Sequence, residues 1–325
     1  MKLPRREFLC LVAGAAALPA VTRVARAQTY PTRPVHIVVG YSAGSAGDIV
    51  ARLIGQWLSD RIGQPFVIDN RPGASGNIGT EAVVRADPDG YTLLWCNSAS
   101  TINSSLYDNL SFNFERDIAP VARISLTPLV MEVTPSLPVT TIQEVIAYAK
   151  ANPGKISMAS IGNGTVQHVS GELFKMMTGI EMIHVPYHGS PQALTDLVAG
   201  QVQVMFDTLP SSIAQIKTGK LRALGVTTAA RLEALPNIPS VGEFVPGYEA
   251  SGWIGAGAPK NVPAGIIDML NKEFNSALAD PMIAGRIADL GGLPAPGSPA
   301  DFGRFIAAET EKGRKVIRAA NIKAE

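Results

Sequence analysis

Cysteine is nearly absent from this chain of 325 residues, which holds only Cys10 and Cys96. Cys10 falls in an N-terminal segment with the marks of a removable leader, so the remaining chain has no pair from which to build an intramolecular disulfide. Histidine is equally scarce. Four residues without metal-type spacing argue against a structural zinc site. Neither sign of charge dominates, with 28 Lys and Arg against 27 Asp and Glu, so the footprint of a nucleic-acid binder is missing. Beyond the N-terminus, no apolar run reaches the roughly 20 residues that a membrane-spanning helix requires.

The leader itself is legible. Arg5-Arg6-Glu7-Phe8-Leu9 is a twin-arginine-like start, an apolar run follows over 8–20, and Ala25-Arg26-Ala27 has the small-x-small form of a cleavage site. Cys10 sits too early, after Glu7-Phe8-Leu9, to be a lipid-attachment cysteine. Residues 1–27 are therefore expected to be a signal peptide cleaved near Ala27, by a route (Tat or Sec) that a double arginine leaves open, with a periplasmic mature chain. Cleavage removes five basic residues and one acidic, leaving 23 against 26. The mature length suits two lobes that each bury a core.

Strand and helix signals alternate along that chain. Strands are expected at Val35–Val39, 66–68 and 92–96, with one helix ending at Gly63 and another over 79–85. A β-like run over 124–134 is interrupted by Thr127-Pro128, which reads as a crossing segment. A second series follows: helix Ile142–Ala151, strand 156–159, helix 166–177, strand 182–185, helix 191–199, and strands 202–206 and 221–226. Gly252, Gly255 and Gly257 suggest a flexible return, before helices at Ala264–Leu278, 282–290 and Pro299–Ala319. Such alternation implies mostly parallel sheets flanked by helices, an α/β architecture with ligands at the carboxyl ends of strands.

The densest functional signal is VHIVVGYSAGSAGDIVAR, residues 35–52. A strand leads into a turn of small residues, then into a helix opened by Asp48 with apolar positions Ile49, Leu53, Ile54, Trp57, Leu58 and Ile62. Backbone N–H groups of such a turn, with the positive end of the helix dipole, form an anion site without a committed lysine or arginine. Tyr41, Ser42, Ala43, Gly44, Ser45 and Ala46 are the candidate ligand residues here. Asp48 would repel an anion, so it is expected to cap backbone N–H groups and pair with Arg52 four residues on. A matching turn, Ser160-Ile-Gly-Asn-Gly-Thr165, precedes the helix over 166–177, with Thr165 as its N-cap. It reads either as a second N–H nest or as a well-capped helix with glycine turns.

These stretches resemble the Bug family, periplasmic receptors of tripartite tricarboxylate transporters. Tyr41, Ala43, Gly44, Asp48, Ala51 and Arg52 fit its first ligand loop, with Ser45 where a second glycine is common and Gly40 and Ser42 where proline is common. Ser160, Gly162, Gly164, Thr165 and His168 match its Ser-x-Gly-x-Gly-Thr-x-x-His signature. Val185-Pro-Tyr-His-Gly-Ser-Pro191 is similar to its Val-Pro-Tyr motif, with His188 where lysine is frequent. Asp69-Asn-Arg-Pro-Gly-Ala-Ser-Gly76 and Ala86-Asp-Pro-Asp-Gly-Tyr-Thr-Leu93 extend the likeness and read as scaffold turns.

The resemblance implies a two-lobed periplasmic binding protein fold with the ligand cleft between lobes. Lobe 1 is expected over 28–125, lobe 2 over 126–247, and a return to lobe 1 over 248–325. Further ligand candidates are Ser98 (in the loop 97–103), Ser160, Asn163, Gly164, Thr165 and His168. Tyr187 is either a ligand contact or a core tyrosine. Asp207 either meets the ligand or caps Thr208 and the next turn. The implied function is capture of a small organic carboxylate and delivery to a membrane permease, by a monomer without cofactor, metal or nucleic acid. A sensor for a membrane kinase would use the same closure.

One enzyme reading competes. Gly40-Tyr-Ser-Ala-Gly44 fits G-x-S-x-G after a strand, with Ser42 as nucleophile and His168 as base. Against it, this turn ends the first strand, Gly44-Ser-Ala-Gly47 intervenes before the helix, and no histidine follows His188.

Overall fold

Four of the five residues of β1 (Val35–Val39) are buried, because helices cover both faces of the strand and neighbours flank both edges. It pairs in parallel with β2 (Phe66–Asn70) and β3 (Thr92–Asn97). The computed structural model describes residues 30–324, and Arg33 onward form the unit considered below. The signal segment and cleavage site expected over 1–27 lie outside the described residues.

Helix α1 (Ala46–Ile62) starts two residues before the expected Asp48, because Ser45 is its N-cap and accepts the Asp48 N–H. It ends at Gly63, whose φ of 79° lets its N–H reach Ser59. The buried face is Asp48, Val50, Ala51, Ile54, Gly55 and Leu58, rotated from the expected stripe, and Ile49 is left 37% exposed. Two inward groups cause the rotation. Asp48 turns in to hold the preceding loop, and Gly55 lies against β2, where an added Cβ would stand 3.2 Å from Ile68.

The organising element is β4 (Ile118–Val133), which belongs to two sheet halves. Its residues 118–128 pair with β9 (Ser251–Pro259), and 129–133 pair with β7 (Val204–Thr208), the crossing falling at Thr127-Pro128. One half runs β2-β1-β3-β9-β4, with β10 (Leu293–Pro294) on the free edge of β4. The other contains β4, β7, β5 (Ser157–Ser160) and β6 (Ile183–Pro186), with β8 (Arg222–Val226) also on β4. The outer pairs are parallel, whereas every pairing made by β4 and β9 is antiparallel, because these two strands carry the chain between halves. Thr227 stitches the crossings together: its N–H and hydroxyl bond Leu129, and its carbonyl accepts from Ala250.

The glycines of 252–257 do not make the flexible return expected for them; they lie in β9, a buried central strand. Glycine is needed there for packing, since a Cβ on Gly255 would stand 2.2 Å from the Phe302 ring. The loop expected over 97–103 is instead helix α2 (Ser98–Leu106), capped by Asn97. Another helix without a sequence expectation, α3 (Leu209–Lys217), follows β7. Ile102 of α2 joins Val316 and Ile317 of the C-terminal helix α4 (Pro299–Ala319) in the same core as Leu129, Phe174, Phe206 and Tyr248. The C-terminal helix thus packs into the second half as well as the first, where Phe302 and Ile306 meet Trp253.

Candidate functional site

Four strands deliver four helix N-termini to one cleft of about 450 Å³. From the first half come Ser45, Ala46 and Gly47 at the start of α1, then Asn97, Ser98 and Ala99 at the start of α2. From the second come Gly164 to Gln167 at the start of α5 (Val166–Thr178, which follows β5) and Thr208 at the start of α3. Tyr41, Trp95, Ile102, Thr127, Ile161 and the β9 residues Gly252, Trp253 and Ile254 complete the lining. Every lining side chain is uncharged. With no side-chain cation in the lining, the attraction an anion would meet there is that of the helix N-termini, each carrying roughly half an elementary charge.

The first loop is held from behind. Buried Asp48 accepts from Gly44 N–H (2.8 Å), Asn70 Nδ2 (2.9 Å) and Arg52 Nε (3.0 Å), as its expected loop-holding role requires. Burial opposes its charge, but Arg52, the Gly44 N–H and Asn70 outweigh burial and hold the carboxyl below its usual range. Asn70 also donates to the Tyr41 carbonyl at 3.0 Å. The Tyr41 hydroxyl donates to Asn97 Oδ1 at 2.8 Å, and burial pushes its pKa up to about 12, so it remains a neutral donor. Ser42, Ala43 and Gly44 form the turn itself and are not among the lining residues; Gly44 has a φ of 83°. Ser42 makes no side-chain bond to a histidine among the described residues.

Of the other expected residues, Ser98, Gly164 and Thr165 face the cleft. The Ser98 Oγ accepts from the Trp253 backbone N–H at 2.9 Å, which leaves its O–H able to donate. Gly164 combines a φ of 69° with a close approach, a Cβ there falling 2.4 Å from Leu106. Thr165 caps α5 as expected, accepting the His168 N–H.

His168, Asn163 and Ser160 lie behind the loop. His168 and Asn163 line a separate cavity with His184, Glu172 and Lys175. The rings of His168 and His184 stack at 3.5 Å and 8°. His168 Nδ1 accepts from the Gly164 N–H at 3.2 Å, and His184 Nε2 is 2.6 Å from the Ser160 Oγ. Burial, then the neighbouring His168, pushes the His184 pKa down to about 4, so that ring is neutral. The pair props the loop.

Tyr187 and Asp207 also point away. The Tyr187 hydroxyl donates to Asp196 at 2.9 Å, and its ring packs on a core containing Ala193 and Leu197. Asp207 accepts from the Thr208 N–H (2.8 Å), Ser190 (2.9 Å) and Gln167 (3.4 Å), the capping role among its two expected ones. Beneath it lies an unforeseen group, the fully buried Glu132. Its Oε1 accepts from Ser212 at 2.8 Å, and its Oε2 has no partner among the described residues. Burial, reinforced by Asp207, pushes its pKa up to about 8 against the Ser212 bond.

Sequence reasoning missed Gly47, Trp95, Ile102, Thr127, Ile161, Val166, Gln167, Thr208 and the β9 residues. Position at a strand's carboxyl end marks Thr208. Trp95 is interior to its strand, and nothing in its local sequence sets it apart.

The chain matches the family described as "Tripartite tricarboxylate transporter family receptor" over residues 50–322. A UPF0065 protein of Bordetella bronchiseptica is 37% identical over 99% of this chain and 94% of its own length. Protein BugT of Bordetella pertussis is 34% identical, over 91% and 92%. Among solved structures, R. palustris Rpa4515 with adipate is 38% identical and superposes with a TM-score of 0.74, covering 90% of this chain and 99% of that one. That likeness places the molecule in the two-lobed α/β periplasmic binding protein fold, and the family is one of receptors, not enzymes. The resemblance carried by the loops at residues 40–52 and 160–168 therefore reflects kinship: the chain belongs to the receptor family of the tripartite tricarboxylate transporters.

Proposed function

We propose that this chain is an exported receptor that captures a small organic carboxylate and delivers it to the membrane permease of a tripartite transporter. One observation carries the reading: four helix N-termini open onto a cleft whose lining side chains are all uncharged. A carboxylate there receives charge-assisted backbone hydrogen bonds and leaves no buried cation uncompensated when it departs. The uncharged lining also favours a ligand of low charge with an apolar body, which Trp95, Ile102, Val166 and Ile254 would cover. The adipate held by the R. palustris relative is of this chemical class.

The lobes are assigned as 28–125 and 126–247, with 248–325 returning to the first, and the β4 and Thr227 crossings act as the hinge. Residues 1–27 serve as the signal peptide, and the mature receptor works as a monomer without a cofactor. Among the described residues no helix is long and apolar enough to cross a membrane.

The test is a thermal-shift and calorimetric screen of residues 28–325 against organic acids, amino acids and neutral sugars. An acid at a thousand times its Kd raises stability by about 4 kcal/mol, read as a clear rise in Tm. Stabilisation by a sugar, with none by any acid, would overturn the proposal.

A further inference from the structure

Trp95 has a buried hydrogen-bond donor with nothing to donate to. Only 3% of the residue is exposed, and its Nε1 has no partner among the described residues. A buried indole N–H normally finds an acceptor, because leaving it bare forfeits the bond it makes with water. The ring lies beside α1, where a Cβ built on Gly47 would stand 4.0 Å from Nε1. Both residues line the cleft. At the same spot the Ala46 and Gly47 N–H groups, in the first turn of a 17-residue helix, have no acceptor among the described residues. Glycine at position 47 keeps the space between the helix end and the indole open.

Three donors without acceptors therefore converge, two from the backbone and one from a side chain. Trp253, which also lines the cleft, offers a contrast: its indole Nε1–H is unpartnered too, but its ring packs edge-on against Phe302 and Phe305, inside the core of the first half.

Resting on the carboxylate reading above, we infer that Trp95 is a ligand-binding residue whose indole N–H donates to a carboxylate oxygen seated against the Ala46 and Gly47 N–H groups. The indole gives that oxygen a fixed direction, which the backbone nest alone does not. A neutral hydroxyl could accept from Trp95, but it would draw little from the helix dipole, so the site selects the ionised acid over its alcohol or amide.

The experiment titrates adipate, malate and benzoate into the wild-type receptor by calorimetry, then repeats the best binder with two variants. Trp95→Phe removes the N–H together with part of the ring. Replacement of Trp95 by 3-benzothienylalanine keeps the bicyclic shape and puts sulfur where the N–H was. The expected result is an affinity about ten- to a hundredfold weaker in both variants, as loss of a hydrogen bond to a charged group requires. The benzothienyl variant should keep the ligand-free Tm of the wild type. Unchanged affinity in that variant overturns the inference and leaves the receptor reading intact. If the wild type binds none of the three acids, while a neutral compound from the wider screen binds and tolerates the benzothienyl change, both readings fall. Weakened binding in Trp95→Phe alone would assign Trp95 to packing and also overturns the inference.

Discussion

Replacing Glu132 by glutamine should make the receptor more stable at neutral and alkaline pH and flatten its pH dependence. Glu132 is fully buried, with its pKa raised from 4.5 to about 8, chiefly by burial and further by Asp207. Asp207 is raised by burial as well, but it has the Thr208, Ser190 and Gln167 donors, so it is the member of the pair that carries the charge. The sign follows from proton counting. Between about pH 4.5 and 8 the native state holds a proton on Glu132 that the unfolded chain releases, so stability falls as pH rises through that window. Below it both states are protonated and the contribution is complete. Each unit of the 3.5-unit gap corresponds to about 1.4 kcal/mol, giving roughly 4–5 kcal/mol as an upper figure across the window. Glutamine keeps an oxygen to accept from Ser212 and has no charge to lose or gain across the window. Urea unfolding of wild type and Glu132→Gln at pH 5, 6, 7, 8 and 9 reads the effect. The stability difference should widen in the variant's favour by about 1 kcal/mol per pH unit between 5 and 8, then level off. A difference constant over that range would refute the assignment of the proton to Glu132.

Two other substitutions probe the loops. Asp48→Ala strips the acceptor from Gly44, Asn70 and Arg52; Arg52 is half exposed and regains water, so the cost should be about 1–3 kcal/mol, set by the Gly44 and Asn70 donors left without a partner; a change below about 0.5 kcal/mol in chemical denaturation would show that the loop does not depend on it. Gly164→Ala forces a side chain to a φ of 69° with its Cβ 2.4 Å from Leu106, so it should lose about 1–3 kcal/mol and weaken ligand binding together; wild-type Tm and affinity would contradict that close approach.

The sequence by itself determined the local devices. Thr165 as a cap, the glycine-rich turns around Gly44 and Gly164, Asp48 paired with Arg52, and the alternation of strands and helices all follow from interactions within a few residues of chain. Those are the interactions that residue type and spacing encode. The ordered motifs were likewise enough to identify the family. Tertiary structure decided which of these devices share a cleft. Trp95, Thr127, Thr208 and Ile254 come from four strands far apart in sequence, and only the pairing of β4 with both sheet halves brings them together. It also turned His168, Tyr187 and Asp207 into supports, since a side chain's direction depends on what packs against its element. The glycines of β9 show the same limit. Read locally they loosen the chain, yet against Phe302 and Ile118 they let a central strand pack where any larger residue would collide. Glu132 was invisible for a related reason: whether a glutamate in a strand meets water or a buried aspartate depends on the helix laid over it, and that helix is 80 residues away.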